Sequence, residues 1–310
     1  MRPAWSVILL TTLIGAGQGL FLALFALERA DAASAPPAFL AGGTALALAL
    51  LAGGLVASFF HLGHPERAWR SAAMWRTSWL SREVIALPAF MGLLGLWGAG
   101  QAVGASQVWL VVAGWAAVVA CVVLYLCTAM IYACLKFLQE WHSPLTVVNY
   151  LVLGSASGLT LAAAFAAVAT EPAARTLALA ALAATALGLA TRGAALARNA
   201  RLRHKSTLAT AIGVKHPRIA QISQGAMGGS FNTREFFHGR SEATVRALRT
   251  TFLVAAFPVP LALLALGVWL RMPTLYVAAF AAQFAGLLAE RWCFFAEARH
   301  PQNLYYQAIA

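Results

Sequence analysis

Long apolar runs separated by short polar segments make up most of this chain. Eight of these runs are long enough to cross a bilayer as α-helices, which requires about 20 mostly apolar residues. They cover roughly residues 5–27, 38–60, 83–103, 107–135, 145–169, 174–197, 250–270 and 273–296. The pattern predicts an all-α fold in which residues 1–310 form a single integral membrane domain, a polytopic bundle of eight transmembrane helices.

Composition and charge agree with this prediction. Only 10% of the residues are charged, whereas a soluble domain carries about 25%. An even number of spans places both termini on one side of the membrane, called here the terminal face. That face holds 19 of the 22 Lys and Arg residues, and the opposite face holds Arg29, Arg175 and Arg271. Because positive charge marks the cytoplasmic side, we expect a multi-pass protein of the bacterial inner (cytoplasmic) membrane with a cytoplasmic terminal face and no nucleic-acid partner.

The histidine and cysteine positions limit the cofactors of this chain. All seven His residues fall on the terminal face, whereas a haem inside a helix bundle usually takes its axial His from within the helices. The four Cys residues form no C-x-x-C pair. We therefore expect no metal site, haem or iron–sulfur cluster in this chain, with a haem near the terminal face as the open alternative.

Small and polar residues inside the predicted helices indicate how the helices pack. Gly15 and Gly19 have the small-x-x-x-small spacing that lets two helices approach closely. Gln18 and Gln283 lie in the middle of predicted helices, where a hydrogen bond to a neighbouring helix is the more common role. Ligand binding is the alternative for both.

The segment between the second and third runs carries the densest titratable chemistry. His61 closes the second predicted helix and Glu83 opens the third, so both should lie where a quinone head group meets the interface. Quinone reduction takes two electrons and two protons, and a His and a partly buried Glu can supply protons near neutral pH. His64 lies in the same segment and is a candidate to support the site. Arg67 and Arg82 lie there too and could hold lipid phosphates or dock a soluble partner. The alternative is a salt-bridged interfacial belt without a catalytic role.

Two charged loops on the terminal face are candidates for docking a partner protein. In the first, Trp75 and Trp79 alternate with Arg70 and Arg76, and both residue types are enriched at binding hot spots. The second is the long cytoplasmic loop of residues 198–249, which has aromatic residues, glycines and few acidic residues, unlike a solvating linker. Membrane lipid is the alternative partner of both loops. The candidate contacts in the second loop are Phe231, Arg234, Phe236 and His238.

The first of these loops also carries a family resemblance. The block His61-Leu62-Gly63 … Arg67-Ala68 … Thr77-Ser78-Trp79-Leu80-Ser81-Arg82-Glu83 resembles the signature of the dimethyl sulfoxide reductase membrane-anchor family. The resemblance implies two soluble partners, a molybdopterin catalytic subunit and a four-cluster ferredoxin-like iron–sulfur subunit. It also implies electron exchange with membrane quinone, ubiquinone or menaquinone, at His61 and Glu83 with support from Arg67 and Arg82.

A second run narrows the expected function. Residues 228–238, Gly-Gly-Ser-Phe-Asn-Thr-Arg-Glu-Phe-Phe-His, are similar to the loop of a cytoplasm-facing branch of that family, which oxidises sulfite to sulfate. We therefore expect an anchor subunit that catalyses nothing with the soluble substrate by itself and passes electrons from sulfite oxidation to quinone. One alternative is a quinol-oxidising anchor of an S-oxide, N-oxide or polysulfide reductase. The other is a secondary transporter, which would have polar groups at the midplane and inverted repeats.

Overall fold

A computed structural model of the protein describes residues 1–169, 172–203, 205–216, 218–219, 238–301 and 303–306. All regular structure within these ranges is helical. The helices are α1 (Trp5–Ala30), α2 (Pro37–Phe59), α3 (Trp79–Ala102), α4 (Gln107–Ala133), α5 (Pro144–Val168), α6 (Ala174–Ala200), the short α7 (Leu208–Ile212), α8 (Glu242–Ala256), α9 (Pro258–Leu270), α10 (Thr274–Ala296) and the short α11 (Asn303–Tyr306).

The long helices form the predicted bundle. By length and composition, α1 to α6 can each cross a membrane, and α8 with α9 forms a seventh span from Glu242 to Leu270. Helix α10 is the eighth. Its hydropathy is lowered by the adjacent Glu290 and Arg291, yet it packs along α5, α8 and α9 as part of the bundle. The all-α, eight-helix fold predicted from the sequence is confirmed.

Helices α1 and α5 form the centre of the bundle and touch at glycines. A Cβ on Gly158 would lie 2.0 Å from the carbonyl carbon of Gly19, and a Cβ on Gly19 would lie 2.3 Å from the Gly154 oxygen. Only glycine permits this backbone contact, which is the close packing predicted for Gly15 and Gly19. Helices α2 and α10 pack against α1, and α4, α6 and α10 pack against α5.

Polar side chains join neighbouring helices inside the bundle. The Gln18 Nε2 donates to the Cys121 oxygen of α4 at 2.9 Å, and the Gln283 Nε2 donates to the Thr185 Oγ1 of α6 at 2.9 Å. Both glutamines therefore have the interhelical role expected of them.

The seventh span differs from the predicted helix. It begins at Glu242, because Ser241 accepts a hydrogen bond from the Thr244 backbone N–H and caps the first turn. It breaks at Phe257, since Pro258 has no N–H to continue the helix. The loop predicted over residues 198–249 therefore ends earlier than expected, because residues 242–249 belong to α8. The described part of this loop contains α7.

Both described ends of the chain lie on the terminal face. The Met1 amine donates to the carbonyl oxygens of Ala296 and Ala298, each at 3.1 Å, at the end of α10. Burial lowers the pKa of this amine to about 6, and Glu140 opposes that shift. This face also carries residues 60–78, between α2 and α3, and residues 134–143, between α4 and α5.

Candidate functional site

Glu83 is a buried carboxyl group near the start of α3, on the terminal-face side of the bundle. Helix α3 begins at Trp79, four residues before the predicted start, because Ser78 accepts a hydrogen bond from the Ser81 N–H. This brings Glu83 into the second turn, where it is 7% exposed. Thr128 of α4 donates its hydroxyl to the Glu83 Oε1. A carboxyl group in an apolar bundle is costly and marks a candidate functional position.

His61 lies in the turn that follows α2 and is exposed. Among the residues that the structure describes, no hydrogen bond or ion pair joins it to Glu83. Desolvation lowers the pKa of His61, so the imidazole is neutral at neutral pH and can donate or accept a hydrogen bond. The structure thus places the two predicted quinone-site residues at adjacent helix ends without a direct contact.

His64 and Arg67 belong to an exposed ionic cluster around Glu66. The His64 Nδ1 lies 3.0 Å from the Glu66 Oε1, and the Arg67 Nε lies 3.6 Å from the same oxygen. All three side chains are more than half exposed. They therefore form a surface cluster apart from the buried Glu83.

Arg82 fixes the loop between α2 and α3 to the start of α3. Its Nε donates to the Trp75 oxygen and its Nη2 to the Arg76 oxygen, both at 2.8 Å. Its guanidinium carbon also lies 4.2 Å from the centre of the Trp79 ring, a cation–π distance. Arg82 therefore stabilises the conformation of this loop. Among the described residues, no hydrogen bond or ion pair joins it to Glu83.

The same loop exposes aromatic and basic side chains on the terminal face. The Arg70 guanidinium lies over Trp69 and that of Arg76 over Trp75, and both rings are more than half exposed. We call residues 60–78 the Trp–Arg loop. Arg and Trp side chains arranged in this way suit a protein surface or lipid head groups.

The second predicted docking loop is only partly described. Phe231, Arg234 and Phe236 lie outside the described residues. His238 lies on the terminal face with its ring centre 6.0 Å from that of Trp292 in α10. Burial, followed by the charge of the chain's amine, lowers the pKa of His238.

A cluster of three buried charged residues, the largest in the described part of the chain, was not predicted from the sequence. Glu290 of α10 lies between two arginines: the Arg192 Nε of α6 is 2.7 Å from its Oε1, and the Arg291 Nε is 2.7 Å from its Oε2. The Arg291 guanidinium carbon lies 4.2 Å from the ring centre of Tyr150 in α5. We call Arg192, Glu290 and Arg291 the buried triad.

The sequence did contain a signal for this triad. Glu290 and Arg291 stand side by side within an apolar span, and Arg192 stands within another. Ionisable residues inside membrane helices are rare and usually face the bundle interior. Their pairing could not be deduced, because α6 and α10 are far apart in the chain.

Two small cavities meet beside Arg291 of the triad. The outer cavity opens toward the terminal face beside Glu140, Arg198 and Glu297 and reaches Asn149, Glu290 and Arg291. The inner cavity lies between α1, α4, α5 and α10; its polar lining is Thr11, Thr12, Gln18, Tyr125, Thr128 and Ser157. Tyr150 and Arg291 line both cavities.

Comparison with known proteins gives a full-length match. The family model described as DMSO reductase anchor subunit (DmsC) matches residues 1–306. The chain is also similar to a protein of Allochromatium vinosum that is named as a sulfite dehydrogenase subunit, with 55% identity over 326 aligned positions that cover 100% of both chains.

Proposed function

This chain belongs to the DMSO reductase anchor subunit family, and on that premise we propose that it passes electrons from sulfite oxidation to membrane quinone. It is a multi-pass membrane protein with the role of an anchor subunit in an oxidoreductase complex. The observation that carries the sulfite assignment is the 55% identity along the whole chain to a protein named as a sulfite dehydrogenase subunit.

The partners proposed for the terminal face are a molybdopterin catalytic subunit and a four-cluster ferredoxin-like iron–sulfur subunit. Sulfite would be oxidised to sulfate at the molybdenum of the first, and two electrons would pass through the clusters of the second. The exposed rings and guanidinium groups of the Trp–Arg loop support docking at this face. The excess of Lys and Arg on the terminal face supports an inner-membrane protein whose terminal face lies in the cytoplasm.

The quinone site is proposed at the terminal-face end of α3, around Glu83 with His61. The support is the buried carboxyl of Glu83, which Thr128 holds next to the loop expected to dock the electron donor. Reduction of the quinone to quinol consumes the two electrons and two protons. A carboxyl group and a neutral imidazole can pass those protons to the two quinone oxygens. Arg82 contributes indirectly, since it fixes the loop that contains Trp75 and Arg76.

Mass spectrometry of the complex tests the anchor role. The chain, tagged and extracted in mild detergent, is expected to co-purify with a molybdopterin subunit and a four-cluster iron–sulfur subunit, neither with an export signal. The purified complex should reduce quinone when sulfite is added. Recovery of the chain alone would contradict the docking role of the terminal face.

The family description favours a second candidate. The family model is described as a DMSO reductase anchor subunit, and in that role the chain would oxidise quinol and deliver electrons to an S-oxide. The two candidates differ in direction and substrate. Sulfite-dependent quinone reduction by the purified complex supports the first, and quinol-dependent S-oxide reduction supports the second.

A further inference from the structure

We infer that the two cavities form a proton-uptake passage from the terminal face, through Tyr150 and Arg291, to Thr128 and Glu83. The inference deepens the proposed function and rests on it, because the proton acceptor at the end of the passage is the quinone beside Glu83. The passage gives a role to residues in α5 and α10 that lie away from the Trp–Arg loop.

The cavities are continuous in their lining. The outer cavity is lined by Glu140 and Glu297 at the helix ends, and Thr128 is part of the lining of the inner cavity. Tyr150 and Arg291 form the partition, since both belong to both linings. Thr128 in turn donates its hydroxyl to the carboxyl of Glu83. A series of polar groups therefore joins the terminal face to Glu83.

Each cavity contains a buried polar atom that needs a partner. Asn149 lines the outer cavity and is 5% exposed, and Ser157 lines the inner cavity and is 1% exposed. Within the described parts of the chain, the Asn149 Oδ1 and the Ser157 Oγ make no hydrogen bond. Buried polar atoms are almost always hydrogen-bonded, to ordered water where protein groups do not reach. Water in both cavities would satisfy these atoms and complete the series.

The buried triad sets the charge along the passage. Glu290 lies between two guanidinium groups, with an N···O distance of 2.7 Å to each, so its charge is paired within the triad. The Arg291 guanidinium carbon lies 4.2 Å from the ring centre of Tyr150, so a positive charge stands where the two cavities meet. After Glu83 gives up its proton, its carboxylate is negatively charged. The negative charge of that carboxylate then attracts the next proton past Arg291.

The proton balance follows from these contacts. Glu83 gives its proton to a quinone oxygen as the partner supplies electrons. The Thr128 hydroxyl passes a proton to the Glu83 carboxylate and takes one from water in the inner cavity. The Tyr150 hydroxyl connects that water to water in the outer cavity, which exchanges with the solution. One pass restores the proton that Glu83 gives to each quinone, and the second proton reaches the other quinone oxygen through His61, which is exposed on the terminal face.

Conservative variants of the purified complex test the passage. Tyr150→Phe and Thr128→Val each remove one hydroxyl and keep the shape of the side chain. We expect each to lower kcat for sulfite-dependent quinone reduction by about tenfold, less than the 10²–10⁴-fold effect of a lost general acid. The solvent deuterium isotope effect on kcat should rise in both variants, while dye-linked sulfite oxidation stays unchanged. The KM for quinone should stay unchanged in Tyr150→Phe.

Control variants make the result decisive. Tyr276→Phe changes another buried tyrosine of the bundle, which lines neither cavity, and should leave kcat and the isotope effect unchanged. Ser157→Ala is a second, smaller change in the inner cavity that should raise the isotope effect even if Tyr150→Phe fails to assemble. Normal kcat and isotope effect in all three cavity variants would overturn the passage. An unchanged quinone turnover in Glu83→Gln would instead overturn the quinone site itself.

Discussion

Glu83 and His61 are the residues on which the proposed quinone chemistry depends. Glu83 is buried against Thr128 of α4, and His61 is exposed in the turn after α2. The sequence predicted both positions because titratable residues closed one apolar run and opened the next. It could not predict Thr128 as the partner, since a single Thr in an apolar helix looks like any packing residue.

A pair of variants separates the quinone step from the partner's chemistry. Glu83→Gln keeps the size of the side chain and removes its titratable proton, and His61→Ala removes the imidazole. We expect each to lower quinone-coupled sulfite oxidation by about 100-fold or more, with dye-linked activity retained. Steady-state assays of the purified complex with quinone and with dye measure both.

Glu28 offers the matched control for this prediction. It is also a buried glutamate, 6% exposed, and accepts a hydrogen bond from Gln101 near the face opposite the termini. Glu28→Gln should leave quinone turnover within about twofold of the parent value, because Glu28 lies near the face opposite the proposed quinone site. Equal losses in Glu28→Gln and Glu83→Gln would indicate a general effect of buried glutamates on the fold.

Among the helices, α1 and α5 decide how closely the bundle packs. Gly158→Ala would place a Cβ 2.0 Å from the carbonyl carbon of Gly19, so one helix must move. Overpacking of this kind costs about 1–3 kcal/mol. We expect a lower thermal unfolding midpoint for the complex in detergent.

Gly92→Ala is the control at the level of the helix. Gly92 lies in the span α3, and an added Cβ there meets no atom within 4 Å. This change should leave the midpoint unchanged or raise it, since Ala favours helix by about 1 kcal/mol over Gly. A lower midpoint in Gly92→Ala than in Gly158→Ala would contradict the glycine contact as the basis of the packing.

The ends of the helices show where sequence reasoning stops. Apolar runs predicted the helices well, because burial in lipid requires about 20 apolar residues whatever the neighbours are. The polar first turns of α3 and α8 were missed, since they depend on the caps at Ser78 and Ser241 rather than on hydropathy. The buried triad was missed because its attraction acts between helices that are distant in the chain.

At the scale of the whole molecule, the proposed orientation has a direct test. Cys134 is exposed at the end of α4 on the terminal face, while Cys121, Cys127 and Cys293 are buried. A membrane-impermeant maleimide should label the protein in inverted vesicles and not in right-side-out vesicles. Cys134→Ala should abolish that labelling. Labelling restricted to right-side-out vesicles would place the terminal face, and the partners, in the periplasm.

The central position of α1 has a consequence for biosynthesis. The partner of Gln18 on α4 follows it by 103 residues along the chain, and the glycines of α5 follow later still. At about 5–20 residues per second, the ribosome needs roughly 5–20 seconds to deliver the α4 partner. During that interval the amide of Gln18 and the backbone at Gly15 and Gly19 lack their partners on α4 and α5. They lie in the lipid or beside the insertion machinery. Helix α1 can therefore pack against α2 early, but it reaches its contacts with α4 and α5 only later.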